Sequence, residues 1–315
     1  MNGNHSRPVG AFRQLLCRLL GGVALVALLS SLVGCGASGA GDGGPLVVAT
    51  HSILGDLATN VLGDTATVQV VMPAGTDPHD FEPSAADVAL LSEADLVVAN
   101  GLGFEVGLTD ALEAAADDGI DVLDLGEQLD PLPLADGDGE DPHWFTDPRR
   151  TVRAVGLIAA AAAAVDGIDA AAIGVHAEAY VDVVTAADAQ MGDDLLAVPA
   201  VDRRLVTNHE VFGYFADRYG FEVIGTIIPS GTTLAEPSSA DLSALVDIID
   251  ETGVPAIFAD TSSSRELADV LAEETGEDIA VVELFSESLG EPGSGGETYL
   301  QLIRTNADRI VGALA

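Results

Sequence analysis

From residue 46 onward, short runs of β-branched and aliphatic residues alternate with longer amphipathic stretches. The short runs have the length and composition of buried strands, and the apolar residues between them recur at helical spacing. Such an alternation is the signature of parallel sheets with helices on both faces. The predicted strands are 46–50, 67–72 and 95–99 in the first half and 205–207, 222–228, 256–259 and 280–284 in the second.

The helices predicted between these strands separate the chain into two similar halves. A chain of 315 residues is long enough for two lobes of about 100–150 residues each. The segment between the halves is rich in alanine and poor in helix breakers, which predicts a stiff helix at about 168–196 that joins them. The other predicted helices are 53–62, 84–92, 211–219, 239–251, 265–275 and 298–314.

We therefore predict an α/β fold with two lobes, each a parallel sheet flanked by helices, joined by a single long rigid helix. The expected boundaries are 46–166 for the N-terminal lobe, 167–198 for the linking helix and 199–315 for the C-terminal lobe.

The first 34 residues have the composition of a secretion signal. Three arginines and no acid precede an apolar run at 21–33, which is shorter than the roughly 20 residues needed to cross a bilayer. The segment that ends in a small residue followed by Cys35 resembles the lipobox of bacterial lipoproteins, a motif whose cysteine is acylated. The alternative is an ordinary signal peptide in which this cysteine occurs by chance. Residues 35–45 are expected to form a flexible, glycine-rich tether.

Cysteine content and charge narrow the possible functions. Cys17 and Cys35 are the only cysteines, so the folded part has no thiol, and a metal site there must use histidines and carboxylates. The net charge is −39, which repels nucleic acid and excludes it as an expected partner. The acidity itself is typical of a secreted protein kept soluble in a salty medium.

Three histidines lie in loops at the carboxyl ends of predicted strands, where open α/β sheets bind ligands. They are His79, His143 and His209, and proline stiffens the first two loops. The residues alone leave a metal site and a structural role equally open. Imidazole suits Zn²⁺, whereas Mn²⁺ prefers more oxygen, and a tetrahedral zinc site would add one carboxylate. Asp260 and Glu287, at strand ends of the second half, are the candidates for that carboxylate.

The other histidines are weaker candidates for ligation. His5 lies in the signal, and His176 is expected on the surface or between helices of the connecting region. His51 directly follows the first strand, where helix capping or packing is the expected role.

Several segments together resemble the solute-binding proteins of zinc and manganese ABC importers, known as the cluster A-I or cluster 9 family. The resemblance covers nearly all of the chain from residue 46 onward. The segments that carry it are 77–83 (DPHDFEP), 94–101 (ADLVVANG), 141–143 (DPH), His209 with 214–220 (YFADRYG), and 286–290 (SESLG) with 298–300 (TYL).

The resemblance implies a metal ion buried between the lobes and handed to a membrane permease that a cytoplasmic ATPase drives. It makes His79, His143 and His209 the imidazole ligands. The fourth ligand in the family is usually an aspartate where this chain has Glu287, which leaves Glu287, Asp260 or a water as the fourth donor. Manganese-type relatives commonly carry glutamate at the position of His209, so the resemblance favours Zn²⁺ as the transported substrate.

The expected protein is thus a monomeric, non-enzymatic receptor, lipid-anchored on the extracytoplasmic side of the cell membrane or located in a periplasm. The alternatives are a Mn²⁺ or Fe²⁺ receptor of the same family and a metal-independent surface adhesion lipoprotein. A zinc enzyme using the same three histidines would need a nearby base, for which Glu210 and Asp80 are the sequence neighbours.

Overall fold

A computed structural model describes residues 1–3 and 44–315, except 136, 138 and 276–278. Residues 44–315 form one compact unit. Apart from residues 1–3, the predicted signal peptide lies outside the described residues, as do Cys35 and most of the tether. Within those residues, each helix is either too short or too polar to span a bilayer.

The first lobe is built on a four-stranded parallel sheet in the order β2-β1-β3-β4. Residues of β1 face two hydrophobic cores alternately, as expected for a strand covered on both faces. Val47 and Ala49 lie in the larger one, the main core, and Val48 lies in a smaller outer core on the other face of the sheet. The elements in chain order are β1 Leu46–His51, α1 Ser52–Leu62, β2 Thr67–Met72, α2 Ala85–Ser92, β3 Leu96–Ala99, α3 Thr109–Asp117 and β4 Asp121–Asp124.

Two helices follow the first sheet. Helix α4, Pro148–Ala162, begins after Asp147, whose side chain accepts a hydrogen bond from the backbone of Arg149. Helix α5, Ala170–Asp194, has 25 residues and is therefore about 37 Å long. Asp169 caps it by accepting from the backbone N–H groups of the first turn. This is the predicted connecting helix.

The second lobe repeats the same topology, with parallel strands in the order β6-β5-β7-β8. Helix α9 packs against α5 and α1, so the chain terminus returns to the first lobe. The elements are β5 Arg204–Thr207, α6 Gly213–Tyr219, β6 Glu222–Thr226, α7 Ser239–Thr252, β7 Ala256–Asp260, α8 Glu266–Glu274, β8 Ala280–Leu284 and α9 Tyr299–Leu314.

The two-lobed α/β fold is confirmed, with three local corrections. Helix α3 and strand β4 were not predicted, because β4 is short and has an exposed aspartate at each end. The strand predicted at 222–228 ends at Thr226, and the helix predicted at 211–219 begins at Gly213. The lobe boundaries proposed from the sequence stay a prediction. Below, each lobe means its sheet with the flanking helices and the loops that follow its strands.

Candidate metal centre

His79 lies in the loop between β2 and α2. The carboxylate of Asp77 accepts a hydrogen bond from the backbone N–H of His79 at 2.9 Å, which tightens the turn around the intervening proline. Gly75, earlier in this loop, has a φ of +80°, a conformation that glycine adopts without strain. Its N–H donates to the side chain of Ser288 at 2.9 Å, so the loop is tied to the second lobe.

His143 is held by the same Asp-Pro-His arrangement. Oδ1 of Asp141 accepts from the backbone N–H of His143 at 2.9 Å and lies 2.7 Å from its ring Nδ1. A carboxylate on Nδ1 fixes both the tautomer and the orientation of an imidazole ligand, leaving Nε2 to face the metal. The side chain of Asn100, just after β3, donates to the carbonyl of Pro142 at 3.0 Å and so ties this loop to the first sheet.

The second lobe contributes His209, just after β5, and Glu287, just after β8. The hydroxyl of Thr207 donates to the carbonyl of His209 at 2.8 Å. The loop of Glu287 is tied to the first lobe, because Ser52 lies 3.0 Å from the hydroxyl of Ser288 and accepts the backbone N–H of the next residue.

These four side chains converge on one point. Oε1 of Glu287 lies 3.2 Å from Nε2 of His79, 3.0 Å from Nε2 of His143 and 2.7 Å from Nε2 of His209. One ligand atom from each residue can be chosen so that all four lie within 4.8 Å of one another. All four side chains are buried, with at most 3% of any residue exposed. The arrangement has the donor types and spacing of a buried metal site.

The electrostatics of the cluster follow from this convergence. Burial opposes the charge on Glu287, but the adjacent His209 and His79 outweigh it and hold the pKa of the carboxyl well below its usual range. Burial likewise opposes protonation of His143, yet Asp141 and Glu287 together raise its pKa to about 9. A proton on His143 therefore competes with a metal cation for the same nitrogen.

The ring of Phe104 packs beside the two histidines of the first lobe. The ring of Phe104 is centred 5.4 Å from that of His79 and 5.8 Å from that of His143. On its other side it packs against His51 at 4.9 Å, and burial lowers the pKa of His51 to about 3. His51 makes no side-chain capping bond to α1. It has the packing role expected of it.

The other carboxylates considered from the sequence lie elsewhere. Asp260 accepts hydrogen bonds from the hydroxyls of Ser262 and Ser286, and it is Glu287 that faces the imidazoles. Glu210 accepts the backbone N–H of Ala135 at 2.9 Å. Neither joins the four converging residues.

The supporting residues were not found from the sequence. Asp77 and Asp141 precede their histidines by two positions, which was a usable signal because an aspartate there can bond the histidine's backbone. Ser52, Ser288 and the ring of Phe104 carried no local signal, since their contacts join segments far apart in the chain.

Helix α5 carries the remaining described histidine, His176. It is half-buried, and its ring lies against Gly63 at the end of α1, in agreement with the interhelix position expected for it.

Comparison with known proteins identifies the family. Residues 47–313 match the family model described as zinc-uptake complex component A, periplasmic. The chain is 32% identical over 297 residues to the manganese-binding lipoprotein MntA of Halalkalibacterium halodurans, a match covering 93% of this chain and 97% of that protein. It is 31% identical over 314 residues to the manganese ABC transporter substrate-binding lipoprotein PsaA of Streptococcus pneumoniae, covering 93% and 98%.

Solved structures agree with this assignment. The periplasmic zinc binding protein TroA from Treponema pallidum superposes with a TM-score of 0.81 at 29% identity, covering 87% of this chain and all of that one. The Mn-bound periplasmic metal binding protein from Candidatus Liberibacter asiaticus, at 23% identity and a TM-score of 0.77, shares the fold. The chain thus belongs to the zinc-uptake complex component A family and is the substrate-binding protein of a metal ABC importer, not an enzyme, with the metal ion as its transported substrate.

Proposed function

We propose that this receptor captures one Zn²⁺ with His79, His143, His209 and Glu287 and delivers it to the importer's permease. The observation that carries the proposal is the convergence of three Nε2 atoms on a single carboxylate oxygen in a buried site. Two of the donors come from each lobe, so a bound cation would hold the lobes together, and separating the lobes would release it.

Capture would exchange one set of contacts for another. Oε1 of Glu287 lies at the point on which the imidazoles converge, at 2.7–3.2 Å from their nitrogens. Zinc bonds to nitrogen and oxygen are about 2.0–2.2 Å long. A cation at that point therefore requires the carboxylate to draw back by about 2 Å while remaining bound, and the side chain of glutamate has the rotatable bonds to do so.

The donor set favours zinc over manganese. Three imidazoles and one carboxylate suit Zn²⁺, whereas Mn²⁺ prefers a larger share of oxygen ligands. TroA, a zinc binding protein, shares the fold at a TM-score of 0.81.

Mn²⁺ is the second candidate. MntA and PsaA, at 32% and 31% identity, are described as manganese proteins. In addition, Oε2 of Glu287 has no hydrogen-bond partner among the described residues and could supply a further oxygen.

The same relatives support the proposed location. MntA and PsaA are described as lipoproteins, which supports acylation of Cys35 and an anchor on the extracytoplasmic side of the membrane. The proposed receptor works as a monomer with a permease and its ATPase. Its lobes would span 46–166 and 199–315, joined by 167–198.

Competitive titration tests the metal assignment. The full chain in mild detergent would be stripped with chelator and titrated with Zn²⁺ and Mn²⁺, alongside His209→Ala and the matched control His176→Ala, whose histidine lies outside the site. Four-ligand zinc sites bind with about 10–16 kcal/mol, so loss of one ligand should cost about 3–4 kcal/mol, or several hundred-fold in affinity.

We expect one tight equivalent of Zn²⁺, weaker Mn²⁺ binding, a collapse in His209→Ala and no change in His176→Ala. Zinc at 1,000 times its dissociation constant should also stabilise the fold by about 4 kcal/mol. Tighter binding of Mn²⁺ would reassign the substrate. An absence of saturable binding, with melting unchanged by metal, would favour the adhesion alternative.

A further inference from the structure

The aspartate that orients His143 is itself held by the opposite lobe. Asp141 fixes the ring of His143 through Nδ1. The main-chain carbonyl of Asp141 accepts a 2.6 Å hydrogen bond from the hydroxyl of Tyr214, the second residue of α6. That same hydroxyl accepts the backbone N–H of Leu132 at 3.0 Å. The backbone N–H of Asp141 also donates to the carbonyl of Leu132. Tyr214 therefore bonds to both sides of the loop that leads to His143.

Tyr214 is rigidly placed for this contact. Its side chain is fully buried, and the guanidinium of Arg150 lies 4.5 Å from its ring centroid, on α4 beside the first lobe. Arg150 is in turn fixed by the carboxylate of Asp147 and the carbonyls of Leu129 and Asp130. Burial raises the pKa of Tyr214 to about 12, so the hydroxyl keeps the proton that it donates.

The residue before Tyr214 touches the same aspartate. A Cβ atom added to Gly213 would lie 2.7 Å from Oδ2 of Asp141, which is shorter than any ordinary contact between carbon and oxygen. The backbone of α6 therefore lies directly against the carboxylate whose other oxygen holds His143. Glycine is required by this approach and not by its backbone conformation, since Gly213 is not among the residues with positive φ.

We propose that Tyr214 is a positioning residue. Together with Gly213, it sets the orientation of His143 from the opposite lobe. Metal affinity then depends on a contact that does not touch the metal. The inference rests on the proposed function. Partners that orient a metal-binding histidine commonly change metal affinity by about 10–100-fold. Here the partner acts through one intervening residue, which places the expected effect near the lower end of that range.

The same helix offers a matched control. Tyr219 is also a buried tyrosine of α6, and its hydroxyl donates to Asp188 of α5 at 2.8 Å. The described partners of Asp188 are Tyr219, Arg218 and Arg149, none of which belongs to the metal centre. Tyr214→Phe and Tyr219→Phe thus remove the same hydroxyl from the same helix, and only the first removal reaches His143.

The test compares the two variants in the full chain, solubilised in detergent. Zn²⁺ affinity would be measured by competition with a chelator, and the ligand geometry by the visible absorption spectrum of the Co²⁺-loaded protein. We expect Tyr214→Phe to bind Zn²⁺ about 10-fold more weakly and to change the Co²⁺ spectrum. The Zn²⁺ affinity of Tyr219→Phe should stay within about 2-fold of wild type, with an unchanged Co²⁺ spectrum. This should hold even if its metal-free melting temperature falls as far as that of Tyr214→Phe.

Gly213→Ala provides a second route that deletes no hydrogen bond. Alanine is a better helix former than glycine, so a fall in affinity cannot be ascribed to a weaker helix; it would reflect the crowding of Asp141. We expect weaker Zn²⁺ binding and an altered Co²⁺ spectrum here as well.

The outcomes separate the two proposals. If wild type binds one Zn²⁺ tightly while Tyr214→Phe and Gly213→Ala match it in affinity and spectrum, the positioning role is overturned and the proposed function stands. Equal losses in Tyr214→Phe and Tyr219→Phe with unchanged spectra would also overturn it. If wild type binds no metal, both fail.

Discussion

The two lobes share one topology but are held together differently. In the first sheet, β1 pairs with β2 through five residues and with β3 through three. In the second, Thr207 and Phe258 form the one register pair between β5 and β7, and the register of β5 with β6 shifts between Leu205 and Val206. The same strand order therefore supports a continuous sheet in one lobe and a looser one in the other.

The hydrophobic cores differ in how far they extend through the molecule. Six residues of α1 lie in the main core, which continues through α5 and α9 to the inner face of the second sheet. Helix α7 buries Leu245 and Ile249 in a separate, smaller core on the outer face of the second lobe. Since the first lobe has a similar outer core of its own, the contrast rests on the strand pairing, and we expect the first lobe to be the more rigid side of the candidate site. The loop of Glu287 in the second lobe is held partly by a contact with the first, between Ser288 and Ser52.

The buried carboxyl group of Glu105 in the first lobe should make the stability of the protein depend on pH. Glu105 accepts hydrogen bonds from Thr50 and from the backbone of Asn100 and Gly101, yet burial raises its pKa to about 7. A carboxyl whose folded pKa is raised stabilises the protein fully below its unfolded pKa, near 4.5, and this contribution is lost as the pH rises through about 7.

We therefore expect the metal-free protein to lose up to about 3 kcal/mol of stability between pH 4.5 and pH 8 from this group. Urea unfolding of Glu105→Gln should lack that decline, because glutamine keeps a carbonyl acceptor for Thr50 without ionising. Glu113→Gln, an exposed neighbour on α3, should follow wild type. A Glu105→Gln profile parallel to wild type would show that Glu105 does not carry the effect.

A pair of leucines sharpens the comparison of the cores. Leu57 of α1 is fully buried in the main core, and Leu245 of α7 is 3% exposed in the smaller one. Truncating a buried leucine to alanine costs about 2–5 kcal/mol, depending on how far the site can collapse. We expect Leu57→Ala to cost about 1–2 kcal/mol more than Leu245→Ala, because the outer layer of the second lobe can relax.

Hydrogen exchange would locate the two effects. Leu245→Ala should speed exchange in 239–260 and leave the first sheet protected, whereas Leu57→Ala should speed exchange in β1 and α5 together. Equal costs, with exchange spread evenly over both lobes, would remove the distinction between a fixed and a looser half.

Most of the fold could be predicted from local sequence. The strands predicted at 67–72 and 280–284 have the bounds that the structure shows, and the helix predicted from 84 begins with a capping box formed by Ser84 and Asp87. Strand β4 escaped prediction because its register with β3, and not its own hydrophobicity, makes it a strand. Tertiary pairing overrode local pattern there.

The candidate metal ligands could be named from the sequence, whereas the residues that hold them in place could not. Residue type and loop position singled out His79, His143 and His209, and the family resemblance added Glu287. Neither could show that Oε1 of Glu287 lies where the three imidazoles converge. The contacts of Tyr214 with Asp141 and of Ser52 with Ser288 join residues 73 and 236 positions apart. Such contacts depend on how the lobes pack, which no local pattern encodes.

Zinc K-edge X-ray absorption on the full chain loaded with one equivalent of Zn²⁺ tests the central claim most directly, that each lobe supplies two ligands to one cation. We expect three imidazole nitrogens and carboxylate oxygen at about 2.0–2.2 Å, with one imidazole lost in His79→Ala and one in His209→Ala. A shell of oxygen alone, or one that His209→Ala leaves unchanged, would contradict a site shared between the lobes.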